Sequence, residues 1–170
     1  MARPIMTWLD KDLNPLTELN LLKDGGAVTA DTESDHAQIY IANNFTKGSA
    51  TSDPVYAATQ CQLKVMAKDG TANSPAVKEK WLHAKCISGS DADFTAIGGE
   101  GDSPTVLTVT AGDPAKAATI SGDANDGTVS GTGQYNAALV EVFVKPALNT
   151  LAEGGEQEFT LVLTYSYGAV

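Results

Sequence analysis

The stretch Glu158-Phe-Thr-Leu-Val-Leu-Thr-Tyr-Ser-Tyr167 decides the fold class. Phe159, Leu161, Leu163, Tyr165 and Tyr167 fall on one face of an extended chain and Thr160, Val162, Thr164 and Ser166 on the other. A period of two predicts a β-strand with one face turned inward. The same pattern recurs upstream. Within Gln60 to Lys68, Cys61, Leu63, Val65 and Ala67 alternate with Gln62, Lys64, Met66 and Lys68, and Asp69-Gly70 supplies a tight turn. Ala37, Ile39 and Ile41 alternate with Gln38 and Tyr40 ahead of Asn43-Asn44. Ala138 to Lys145 is apolar on both faces, since Val140, Val142 and Val144 are opposed by Leu139 and Phe143, so it belongs in the middle of a sheet. Leu19 to Leu22 and Lys80 to Ile87 also read as strands, with Thr105 to Thr110 and Ala117 to Ser121 as weaker candidates. Helical patterning is confined to short pieces near Ser74 to Glu79 and Asn149 to Glu153. About seven to eight strands joined by short polar turns predict an all-β, antiparallel two-sheet β-sandwich of jelly-roll or Ig-like type.

A chain of 170 residues suits one such domain, expected over 16–170 and preceded by an N-terminal arm over 1–15. Residues 88–134 hold nine of the sixteen glycines and only one basic residue, Lys116, which predicts an exposed, elaborated excursion from the sandwich. In the arm, Ile5, Trp8 and Leu9 stand among polar residues before any expected strand, with Pro4 and Pro15 keeping the backbone extended. Bulky apolar groups there need cover, from the chain's own sandwich or from a neighbouring subunit. Ile5, Trp8 and Leu9 are therefore the candidate subunit-interface residues.

Composition narrows the partners. With 42% apolar and 19% charged residues, the chain is too hydrophobic for a disordered tail and too interrupted to cross a membrane as a helix. Asp and Glu number 21 against 11 Lys and Arg, and a net charge of -10 repels a phosphate backbone. Neither nucleic acid nor membrane is an expected partner. Arg3, the only arginine, leaves the chain almost without forked phosphate-binding donors. The first ten residues lack the apolar run of a secretory signal, so synthesis in a reducing cytoplasm is expected. Cys61 and Cys86 then read as reduced, buried thiols, and the sequon Asn44-Phe45-Thr46 as a chance match.

Motifs with chemistry are missing from the sequence. There is no G-x-S-x-G elbow, phosphate-binding G-x-x-x-x-G-K-[ST] loop, H-E-x-x-H or C-x-x-C. His36 and His83 with the two cysteines would hold a metal only if the fold gathered all four. Asp91 and Asp93, or Asp123, Asn125 and Asp126, offer hard oxygens, but an EF-hand register anchored on Gly127 assigns ligand positions to Gly122 and Ala124. Asp-Gly at 24, 69 and 126 reads as turn chemistry. No carboxylate pair stands out for glycoside hydrolysis. Trp8, Tyr40, Tyr56, Trp81, Tyr135, Tyr165 and Tyr167 could include a sugar-stacking platform, with Trp81 expected in the core and Trp8 at an interface. No catalytic residue, cofactor or metal ligand is expected.

Taken in order, several pieces form a familiar series: Trp8-Leu-Asp, Asp35-to-Phe45 DHAQIYIANNF, Cys61-Gln-Leu-Lys-Val-Met-Ala-Lys-Asp-Gly70, Lys80-Trp81 with Cys86, Phe94-Thr-Ala-Ile-Gly-Gly99, Ile120-Ser-Gly-Asp-Ala-Asn-Asp-Gly127 and the closing Gly155-to-Gly168 segment. Over most of its length the chain resembles accessory structural β-sandwich proteins of tailed bacteriophages and phage-derived particles. The resemblance implies a non-enzymatic virion subunit of accessory or decoration type, on head, neck, tail or baseplate, made in the host cytoplasm. It also implies other virion structural proteins as partners and a homo-oligomeric or multi-copy state. The competing expectation is a carbohydrate-binding receptor-recognition module that uses its loops. An enzyme is third, and would show itself as a convergent acid pair or a pocket containing histidine.

Overall fold

The computed structural model describes residues 1–129, 133–147 and 157–168. Its strands are β1 (Met6–Asp10), β2 (Ala37–Asn43), β3 (Thr59–Ala67), β4 (Leu82–Cys86), β5 (Thr95–Ile97), β6 (Leu107–Thr108), β7 (Ala137–Val144) and β8 (Phe159–Ser166). A single-turn helix, α1 (Pro75–Lys78), is started by the Ser74 side chain, which accepts from the Val77 N–H, and by Pro75 in its first turn. All strand pairs within the two sheets are antiparallel, in the orders β1-β2-β7-β4-β5 and β6-β3-β8. The chain is a two-sheet β-sandwich of eight strands.

The alternation in the sequence selects the faces that meet. Ile39, Ile41, Val140, Val142, Leu82, Ala84 and Ile97 of the larger sheet pack with Cys61, Leu63, Val65 and Leu107 of the smaller one in a single core. β7 is the middle strand of five, as its two apolar faces predict. Its outward Phe143 is covered in an unusual way, by stacking between His36 at 4.5 Å and His83 at 4.8 Å. Trp81 is buried, and its indole N–H donates to Glu79 Oε2 at 3.1 Å. Cys61 and Cys86 are free thiols, buried in the same core but on different sheets.

Four expectations are corrected. First, the arm is not irregular, because residues 6–10 form β1 and pair with β2 from Met6↔Asn43 to Asp10↔Ile39. Met6 and Trp8 pack on the main core, while Leu9 joins Ala42 and Phe45 in a second cluster on the outer face. Pro4 lies outside the strand, so its missing N–H interrupts no ladder. Second, Leu19 to Leu22 is not a strand; Leu19 and Leu21 pack on the core from irregular chain. Of the two weaker candidates, only Leu107–Thr108 became a strand, and Ile120 forms an isolated bridge to Ala58.

Third, residues 88–134 are not an exposed excursion, since Ile97, Leu107, Val109, Ala111 and Ile120 are buried in the main core. The glycines there permit close backbone approach: a Cβ on Gly122 would lie 2.3 Å from the Val55 carbonyl oxygen. Buried asparagines lace this segment down. Asn44 donates to the carbonyls of Asp53 at 3.0 Å and Gly122 at 3.1 Å, and Asn125 donates to the Asn44 carbonyl at 2.8 Å. Fourth, Phe159, Leu161 and Leu163 face inward but are only half-buried, although Leu63 opposite Leu163 is fully buried. The second expected helical piece, 149–153, lies outside the described residues.

Candidate functional site

Two sheet edges, β1 and β8, lie on the same side of the sandwich and leave a groove of about 520 Å³ between them. Trp8, Leu16 and Leu19 form one wall, and Phe159 and Leu161 the other. The local sequence explains the first wall. After β1 the chain reverses tightly: the Asp10 carboxylate accepts from the N–H groups of Asp12 at 2.8 Å and Asn14 at 2.9 Å. The Asn14 N–H is the main reason that the Asp10 carboxyl sits below its ordinary pKa. Residues 15–16 then run back beside β1, and the Leu16 N–H donates to the Trp8 carbonyl at 2.9 Å. The second wall follows from β8 being an edge strand, with no further sheet partner among the described residues to press its inward side chains down. At the rim Lys68 Nζ and Glu158 Oε1 form an exposed ion pair at 2.7 Å.

The three expected interface residues do not form one patch. Ile5 precedes β1 and is 55% exposed; its backbone is held by Asn43 Oδ1, which accepts from the Ile5 N–H at 2.9 Å. Trp8 turns toward the core and lines the groove. Leu9, one residue on, turns to the opposite face and is buried in the second cluster. Leu16, Leu19, Phe159 and Leu161 were not expected at a site. For the last two, the signal was present but ambiguous: alternation marks an inward face without saying whether another strand covers it.

Both histidines come to the outer face of the larger sheet, one on each side of Phe143, with Phe94 edge-on to that ring at 4.8 Å. His36 Nδ1 lies 2.9 Å from Glu141 Oε1, and its Nε2 lies 3.5 Å from Glu33 Oε2. Burial, against the opposing pull of Glu33, holds His83 below the ordinary imidazole pKa. The cysteines are in the core on the other side of this sheet, so the four residues weighed as a metal set are not gathered. Burial pushes the Cys61 thiol up to about 11. Among the described residues, no three His, Cys, Asp or Glu side chains are grouped to hold a metal.

The acidic loop residues are engaged in closing turns. Asp91 Oδ2 accepts from the Cys86 N–H at 2.8 Å, Asp123 Oδ2 accepts from the Ser121 hydroxyl at 2.6 Å, and Asp126 Oδ1 accepts from the Thr128 N–H at 2.9 Å. A second hollow, of about 560 Å³, lies against β3 and β8 of the smaller sheet. Gln60, Gln62, Thr108, Thr164, Tyr165 and Ser166 line it without a charged group. Tyr167, 54% exposed, lies near Tyr165 and Tyr56, with ring centroids 6.3 and 6.4 Å away. Among the described residues no helix is long and apolar enough to cross a membrane. No family model, no curated protein and no solved structure matches this chain.

Proposed function

We propose that this chain is a non-catalytic structural subunit, an accessory or decoration-type component that docks on a larger particle. This is the role of the tailed-phage proteins that it resembles. The groove between β1 and β8 carries the reading, because it holds an indole and four apolar side chains in the open between two sheet edges. Aromatic anchors beside aliphatic walls suit protein contact. Glu158 at the groove is paired with Lys68, and Glu18 together with the chain's net charge of -10 favours a partner that presents an apolar ridge with a basic flank. Other structural proteins of the particle are the proposed partners, several copies per particle the proposed stoichiometry, and the assembled virion the proposed location after synthesis in the host cytoplasm.

Leu19 is the residue to change, since it lines the groove from irregular chain and supports no strand ladder. Leu19→Glu should still fold, at a cost of about 1–2 kcal/mol because the side chain packs partly on the core, and be lost from purified particles. Normal incorporation of that variant would overturn the docking assignment. The hollow on the smaller sheet favours a second reading, a carbohydrate-binding module, because uncharged amides and hydroxyls beside exposed tyrosines are groups that bind sugar hydroxyls and ring faces. Glycan-array binding by the isolated chain that disappears in Gln62→Ala would favour it.

A further inference from the structure

Three of the four sheet edges are blunted. β6 is two residues long, and β5 is three. β1 is covered by the returning chain, with Asp10 N–H to the Asn14 carbonyl and Leu16 N–H to the Trp8 carbonyl both at 2.9 Å. The fourth edge, β8, is eight residues long and, among the described residues, pairs only with β3. From Phe159 to Ser166 it contains no charge, proline or glycine, the devices by which edges are normally protected. Phe159, Leu161 and Leu163 are half-buried opposite the buried Ala67, Val65 and Leu63, so among the described residues nothing covers this edge.

We infer that β8 is a homodimer interface, which pairs antiparallel with β8 of a second copy about a two-fold axis at Val162. The sequence is self-complementary in that register. Leu161 faces Leu163 of the second copy on the inner side and Phe159 faces the exposed Tyr165, while Thr160 faces Thr164 and Val162 faces itself on the outer side. Glu158, the nearest charge, falls opposite Ser166, so two acidic chains meet here without opposing like charges. The result is a continuous six-stranded sheet, β6-β3-β8 joined to its own copy, with one closed interface. The inference does not use the docking role proposed above, although Phe159 and Leu161 line that groove as well.

Light scattering and sedimentation velocity on the full chain test it. The wild type should be a dimer, and Val162→Lys, which sets two ammonium groups across the axis, should raise its dissociation constant by about tenfold or more. Mixing V162K with Val162→Glu chains should restore a heterodimer, which a folding defect would not produce. Thr160 is exposed, so the double variant T160K/T164K serves if V162K fails to fold. A monomeric wild type overturns the inference, including the case where the edge instead takes a strand from a different particle protein. Dimerisation of both lysine variants as tightly as the wild type also overturns it.

Discussion

Burial at single residues separates the two sides of the small sheet. Leu63 is fully buried and Leu161 is half-buried, although both face inward in adjacent strands. Leu63→Ala should therefore cost about 2–5 kcal/mol and Leu161→Ala only about 1–2 kcal/mol in denaturant unfolding. Equal costs would place β8 inside a closed core. Cys61 accepts no solvent contact, and its thiol is pushed up to about 11, so almost no thiolate exists at neutral pH. Native alkylation should leave Cys61 unlabelled, while denatured protein takes two labels; a chain that takes fewer after denaturation without reductant contradicts the free thiols. His83 is held below its ordinary value of 6.5 by burial against Phe143, with Glu33 and Lys145 as the neighbouring charges and His36 beyond the ring. Its folded state prefers the neutral ring, so its contribution is present above pH 6.5 and is lost as pH falls through the depressed folded value. His83→Gln should flatten that acid limb of the melting temperature, and an unchanged limb would show that the ring is not desolvated.

At the scale of elements, β1 changes what a truncation can show. Deleting residues 1–12 removes an edge strand that covers Ile39 and Ile41, so it should lower the melting temperature by about 10 °C or more. A truncated chain that melts with the wild type would restore the picture of a detachable arm. β3 and β8 were legible in the sequence because a period of two repeats over eight or more residues in each, β2 through the shorter alternation from Ala37 to Ile41, and β7 through a run that is apolar on both faces. β1 was not, because five residues, Met6-Thr-Trp-Leu-Asp10, put Trp8 and Leu9 into two different clusters and show no polar face. Leu19 to Leu22 misled in the opposite way: its leucines fill space beside the core without joining a ladder. The glycine-rich stretch misled through composition, since Gly122 and Gly127 let two backbones meet closely where an exposed excursion was expected. The groove itself depends on which strands become edges, and that order is a long-range property no local pattern carries. Trp8 alone announced it.

For the molecule as a whole, a sandwich with a broad buried core, an acidic surface and, among the described residues, one bare edge is suited to being a part of something larger. The charge of -10 keeps free chains apart at long range, while neutral β8 and the apolar groove supply short-range contacts that survive it. Raising the salt should therefore strengthen association, in contrast to a charge-driven interface. Membership of a particle is the central proposal for this chain. Density-gradient purification of particles from cells that express this chain with its own genome, followed by quantitative mass spectrometry, measures that directly. The predicted result is co-sedimentation at a fixed multi-copy ratio to the other particle proteins. Recovery of the chain only in the unassembled fractions, with particles complete without it, would contradict the structural role.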